Sequence, residues 1–205
     1  MAVAEAKMTG KPGVLMVSRG PGATNASIAV HVAEQDAVPL VVFIGQVSRQ
    51  DCGRGAFQEV DYGHFFGSMA KGVFEVQDGA KMAETCVRAF RLAAEGKPGP
   101  VVISLPEDML NDAAGETVPE PFPVARPHHG PADAQAVRAA IAKAERPIVV
   151  AGAMLRGPRG AQALARFAEA QRIPVAVTWK NQDVFDNGSP LYAGPRSDAT
   201  SFWAI

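Results

Sequence analysis

A short glycine-rich turn carries the clearest capacity for ligand chemistry in this sequence. Residues 20–25 read GPGATN, after an apolar run at residues 14–17 and before an amphipathic run at residues 28–34. These patterns predict a buried strand, a turn and a helix. Two glycines allow a tight turn and close approach of another molecule, and the first N–H groups of a helix favour an acceptor or anion. A plain strand-to-helix connection has the same appearance, so the turn alone leaves both interpretations open.

The elements around this turn predict where it lies. Further strands are predicted at residues 40–44, 72–76 and 101–105, with a helix at residues 80–95 and a short helix at residues 57–66. Strands that alternate with helices predict an α/β fold with a doubly wound, mostly parallel sheet. Ligands of such sheets bind outside the carboxyl ends of the strands. The GPGATN turn and Gln46 both follow such an end, so we expect them to lie close together.

Composition excludes several classes of function. The net charge is −1, which gives no electrostatic case for nucleic acid or a membrane surface as a partner. The apolar runs are too short to span a bilayer. The two cysteines, Cys52 and Cys86, form no disulfide framework or metal-ligand spacing, which favours a cytoplasmic protein without a metal site in this chain.

A proline-rich segment at residues 111–132 predicts a linker between two domains, residues 1–110 and 133–205. The second domain repeats the α/β pattern, with strands predicted at residues 147–151 and 173–178 and helices at residues 133–144 and 160–171. Residues 183–196 are predicted to be irregular, and a further helix is predicted to begin near residue 205. Because both domains lack expected elements, we expect this chain to be part of a longer protein.

Four segments together resemble a known family: GPGATN at residues 20–25, PLVVFIGQ at 39–46, AFQEVD at 56–61 and KPGPVVISLPED at 97–108. Their order and spacing are similar to the pyrimidine-binding domain of thiamine diphosphate-dependent enzymes of the acetolactate synthase type. The second domain resembles the Rossmann-like central domain of that family, and is partial here. The resemblance implies decarboxylation of a pyruvate-like 2-oxo acid and transfer of the two-carbon unit to an acceptor. It also implies a homodimer or tetramer, and Mg²⁺ held by a domain absent from this sequence.

The resemblance also implies roles for individual residues. Pro21, Gly22 and Asn25 would border the pyrimidine end of thiamine diphosphate. Gln58 would face the substrate beside Phe57, although Phe57 could equally be a core aromatic. Lys71 would line the substrate channel. The family's catalytic glutamate and its Mg²⁺ motif do not occur here, so we expect this chain to be inactive by itself.

Two further assignments concern a negative charge and a second cofactor. Glu59 is predicted to be a helix-start charge that the helix dipole favours. Gly152, Ala153 and Thr178 would approach FAD if the central domain binds it, whereas Ser48 and Gly67 depart from the acetolactate synthase pattern.

The alternative hypothesis is a nucleotide-binding or regulatory module without thiamine chemistry, built on the glycine-containing loop at residues 152–160. Neither a GxGxxG fingerprint nor a P-loop occurs in the sequence.

Overall fold

The computed structural model describes residues 1–117, 119–121, 123–125 and 128–196. The chain divides into two compact units, residues 1–126 and 127–205. Each unit contains a parallel sheet flanked by helices, which confirms the predicted α/β class. Among the described helices, none combines the length and the apolar character that crossing a bilayer requires.

The first unit is built on a four-stranded parallel sheet. Its strands are β1 (Gly13–Val17), β2 (Leu40–Gln46), β3 (Gly72–Glu75) and β4 (Pro100–Pro106), in the spatial order β1–β2–β4–β3. Its helices are α1 (Ala2–Thr9), α2 (Pro21–Gln35), α3 (Tyr62–Phe66) and α4 (Met82–Ala94). The strands and the long helices lie close to their predicted positions.

Helices cover both faces of this sheet, which explains why β2 is apolar at successive positions. Leu40, Val42 and Ile44 of β2 belong to a core cluster that also contains residues of α1, α2 and α3. Val41 and Phe43 belong to a second cluster with residues of α4. Successive side chains of a strand point to opposite faces, so a strand buried on both faces needs apolar residues at every position.

The second unit contains a three-stranded parallel sheet in the order β5–β6–β7. Its elements are α5 (Pro131–Lys143), β5 (Val149–Ala151), α6 (Pro158–Gln171), β6 (Val175–Thr178) and β7 (Tyr192–Arg196). The prediction that residues 183–196 are irregular is wrong for residues 192–196, because β7 pairs with β6. Gly194 and Pro195 disfavour a strand locally, and the pairing with β6 overrides this preference. The helix predicted near residue 205 lies outside the described residues.

A matched pair of isoleucine replacements tests the core assignment. Ile103 in β4 is fully buried, whereas Ile28 in α2 is 73% exposed. We expect Ile103→Ala to lower the free energy of unfolding by about 2–5 kcal/mol, because it removes buried methyl groups and leaves a cavity. Ile28→Ala serves as the control and should change it by less than about 0.5 kcal/mol. Urea unfolding followed by circular dichroism measures both, and equal losses would contradict the assignment.

Candidate functional site

The carboxyl ends of β1, β2 and β4 lie at one edge of the first sheet, and their loops are joined there. The guanidinium of Arg19, which follows β1, contacts the carboxylate of Glu107, which follows β4, at 2.7 Å. The backbone N–H of Glu107 donates to the carbonyl of Gln46 at the end of β2, at 3.1 Å. The structure therefore brings the GPGATN turn and Gln46 together, as the strand pattern predicts.

Tyr62, at the start of α3, connects the turn after β1 with the end of β2. Its hydroxyl accepts the backbone N–H of Gly20 at 3.1 Å and donates to the carbonyl of Gly45 at 2.9 Å. Only 2% of Tyr62 is exposed, and burial raises the pKa of its phenol. Tyr62 was not among the residues that the sequence pattern singled out, because its partners are backbone groups far away in the chain.

The turn contacts the backbone of Gln58 directly. Gly20 has a φ of 45°, and a Cβ added to it would lie 2.8 Å from the carbonyl oxygen of Gln58. Gln58 itself has a φ of 66°, which is uncommon for a residue with a side chain. A Cβ on Gly22 would meet the Ser18 hydroxyl at 2.6 Å. Packing within the chain therefore requires glycine at position 20, whereas a side chain at position 22 would require the Ser18 hydroxyl to move.

The segment that carries Gln58 is a loop rather than the predicted start of a helix. Helix α3 begins only at Tyr62, after Asp61 accepts the N–H of His64. The carboxylate of Glu59 accepts the backbone N–H groups of Gly53 and Ala56, and the bond from Gly53 is the main reason why the pKa of Glu59 is lowered. The interpretation of Glu59 as a helix-start charge is therefore wrong, since this carboxylate closes the loop on itself.

Four predicted site residues are exposed at the same edge: Pro21, Asn25, Phe57 and Gln58. Phe57 is 81% exposed, so the alternative that it is a core aromatic is wrong. Within the described parts of the chain, the side-chain amides of Asn25 and Gln58 make no hydrogen bond. An amide can donate and accept at once, which suits the polar edge of a heteroaromatic ring or a substrate carbonyl.

Arg49 anchors the beginning of the loop between β2 and α3. The sequence analysis did not identify this residue. Its Nε donates to Asp108 at 2.7 Å, and its two terminal nitrogens donate to Asp112 at 2.7 and 2.9 Å. Its backbone N–H also donates to Asp108, which is the main reason why the pKa of Asp108 is lowered; the guanidinium is the main reason for Asp112. The partners lie more than fifty residues away, so no local pattern could have indicated them.

Lys71 is not brought to this edge. It precedes β3 at the amino edge of the sheet, and its ammonium donates to the carbonyls of Leu92 and Glu95 at the end of α4. Burial lowers the pKa of Lys71. In this unit Lys71 therefore satisfies the last carbonyls of a helix, next to a cavity of about 450 Å³ that also includes Glu34 and Lys97.

The second unit brings together the three residues assigned to it. Gly152 and Ala153 follow β5, and Thr178 ends β6 at the same edge; a Cβ on Gly152 would lie 3.6 Å from the Thr178 hydroxyl. That hydroxyl accepts a hydrogen bond from Nδ2 of Asn181 at 2.7 Å, and Arg156 donates to Oδ1 of Asn181 at 2.6 Å.

Among the described residues, His, Cys, Asp and Glu form no group of three or more that could hold a metal ion.

Comparisons with known proteins agree with these two units. Residues 1–65 match the family described as "Thiamine pyrophosphate enzyme, N-terminal TPP binding domain", and residues 134–201 match "Thiamine pyrophosphate enzyme, central domain". The chain is 36% identical to the acetolactate synthase large subunit of Parasynechococcus marenigrum over 203 residues, which covers 94% of this chain and 32% of the relative. It is 33% identical to the acetolactate synthase isozyme 2 large subunit of Escherichia coli, covering 94% of this chain and 35% of the relative. The chain thus spans about a third of the length of these relatives.

Replacing Gly20 tests the contact between the turn and Gln58. Gly20→Ala places a methyl group against a backbone carbonyl at a residue whose φ is positive, so we expect a loss of about 2–3 kcal/mol in the free energy of unfolding. Gly10 is the matched control, because its φ is 70° but nothing lies within 4 Å of an added Cβ. Gly10→Ala should cost only about 1 kcal/mol, from backbone strain. Equal losses in chemical denaturation would show that the close contact is not significant.

The Arg49 cluster predicts a specific response to acid. The folded pKa values of Asp108 and Asp112 lie below their usual 3.8, so their contribution to stability is present above that pH and is lost as pH falls through the folded values. Between about pH 5 and pH 2, the free energy of unfolding should therefore fall less steeply for Arg49→Gln than for the wild type. Arg54→Gln, in an exposed part of the same loop, should retain the wild-type slope. Parallel profiles for all three proteins would rule out the cluster as the source.

Proposed function

From the premise that this chain belongs to the thiamine pyrophosphate enzyme family, we propose that it forms one wall of the cofactor site of a 2-oxo acid decarboxylase and carboligase resembling acetolactate synthase. The observation that carries the proposal is the pair of exposed amides, Asn25 and Gln58. They flank a glycine turn at the carboxyl edge of a parallel sheet. Both lie within the region that matches the thiamine pyrophosphate-binding domain.

The residues at this edge suit a flat ring with a polar rim. Pro21 and Asn25 lie on the first two turns of α2. The N-cap of this helix is Gly20, so no side chain caps its N-terminus. Asn25 would hold a polar edge of the cofactor's pyrimidine, with Pro21 and Gly22 bordering the ring. When bound, thiamine diphosphate would supply the carbon nucleophile that the chemistry of 2-oxo acids requires.

Gln58 and Phe57 would act on the substrate side. The Gln58 amide can donate to a substrate carbonyl oxygen and accept from a hydroxyl, so it would orient the 2-oxo acid. Phe57 presents an exposed aromatic ring beside it and would exclude water from the reacting groups. Lys71 is not included in this site, because its ammonium is bonded to the end of α4 at the opposite edge of the sheet.

The remaining cofactors and partners are parts of the same proposal. Mg²⁺ would accompany the diphosphate and be held by a domain that this sequence does not represent. FAD would lie at the carboxyl edge of the second sheet, beside Gly152, Ala153 and Thr178. The Thr178 hydroxyl accepts from Asn181 and can still donate to a phosphate or ribose oxygen. The intact enzyme would be a cytoplasmic homodimer or tetramer that acts on a 2-oxo acid.

Calorimetric titration with thiamine diphosphate and Mg²⁺ tests the cofactor assignment. We expect saturable binding by the full-length protein, and binding weakened about three- to tenfold when Asn25 is replaced by Ala, because one hydrogen bond to the pyrimidine is lost. Gln171→Ala is the control, since Gln171 is an exposed glutamine at the end of α6 in the other unit. A folded protein that does not bind the cofactor would disprove the proposal.

A further inference from the structure

Tyr62 lies where the turn after β1, the end of β2 and the start of α3 meet. We propose that Tyr62 is a positioning residue of the cofactor wall: its hydroxyl holds the turn at Gly20 in the conformation that places Gln58. The identity of the ligand, thiamine diphosphate, rests on the proposed function, whereas the contacts of Tyr62 do not depend on it. Tyr62 itself is buried beneath the edge and is not assigned a contact with cofactor or substrate.

The ring of Tyr62 is fixed by packing. It belongs to the core cluster on the α2 face of the sheet, and its centroid lies 6.2 Å from that of Phe66. The hydroxyl at the far end of the ring therefore has a defined place, where it accepts from Gly20 and donates to Gly45. Both partners are backbone groups, so the position of this one oxygen sets the separation between the turn and the end of β2.

Gly20 transmits this constraint to Gln58. With φ 45° and ψ −98°, Gly20 is in neither helical nor extended conformation, and its Cα faces the Gln58 backbone at a distance that leaves no room for a side chain. Gln58 has a left-handed φ of 66°, a conformation that is unfavourable for a residue with a side chain and persists only when its surroundings enforce it. A change in the Gly20 conformation must therefore move or release Gln58.

Removal of the hydroxyl alone is expected to loosen this arrangement. Phenylalanine fills the same core volume, but it leaves the buried N–H of Gly20 without its acceptor. Since burial raises the pKa of Tyr62, the phenol retains its proton throughout the neutral range and donates to Gly45 under all working conditions. The hydroxyl thus acts as a constant bridge and not as a switch.

The experiment compares the wild type with Tyr62→Phe and with Tyr192→Phe, a control that removes a phenol hydroxyl from β7 in the other unit. Two quantities are measured on the full-length protein well below its unfolding temperature. The first is hydrogen exchange, without ligand, of the Gly20 amide and of the Glu59 amide, which donates to the carbonyl of Ala56 at 3.0 Å across the turn that holds Gln58. The second is the dissociation constant for thiamine diphosphate with Mg²⁺.

For Tyr62→Phe we expect at least about tenfold faster exchange at Gly20 and Glu59, unchanged exchange in β4, and at least about fivefold weaker cofactor binding. The control should match the wild type in both measurements. Tyr62→4-aminophenylalanine keeps the donor to Gly45, but its nitrogen is a poor acceptor for the N–H of Gly20 because the lone pair is delocalised into the ring. It should therefore change both values in the same direction by a smaller factor, and it replaces Tyr62→Phe if that variant fails to fold.

Three results would overturn or redirect the inference. Unchanged exchange at Gly20 and Glu59 would overturn it, whatever the dissociation constant for the cofactor. Faster exchange with an unchanged dissociation constant would show that Tyr62 stabilises the fold without positioning the wall, which also overturns it. If the wild type does not bind thiamine diphosphate, the proposed function fails. Faster exchange at both Gly20 and Glu59 would then still support the positioning role, and faster exchange at Gly20 alone would refute it.

Discussion

The parallel pairing of β2 with β4 is the constraint on which the first unit depends. Their ladder runs in register from Leu40 opposite Pro100 to Gln46 opposite Pro106, so the two strands end at the same level. Pairing of β1 with β2 places Val17, the last residue of β1, opposite Ile44, two residues before the end of β2. Loops that are remote in sequence therefore leave the sheet side by side. The contact of Arg19 with Glu107, and the bridge that Tyr62 makes between Gly20 and Gly45, both follow from this alignment.

Charged groups at this edge hold the loops, and neutral groups face outward. Arg49 binds Asp108 and Asp112, and Glu59 binds the backbone of its own loop. These charged groups are therefore hydrogen-bonded within the protein. The amides of Asn25 and Gln58 are exposed beside them without a partner among the described residues. This division separates the groups that position the loops from those that the proposal assigns to the ligand.

Much of the fold could be predicted, because its signals are local. The apolar run of β2 and the helical spacing of α4 predicted their elements, and the resemblance of four segments indicated the family. Predictions failed where a distant partner decides the outcome. Strand β7 forms despite Gly194 and Pro195 because β6 pairs with it. Glu59 serves the loop before it and not a helix after it, since α3 begins only at Tyr62. The roles of the predicted site residues remain predictions.

The sequence by itself determined the alternation of strands and helices, the two α/β units, and the side of the sheet on which a ligand is expected. These properties follow from periodicity and from residue types, which act over a few positions. Only the tertiary structure decided that Gln58 touches Gly20, that Arg49 joins loops more than fifty residues apart, and that Tyr62 bridges two backbone groups. Such contacts depend on how far each strand extends and where its neighbour ends, and no short stretch of sequence contains that information.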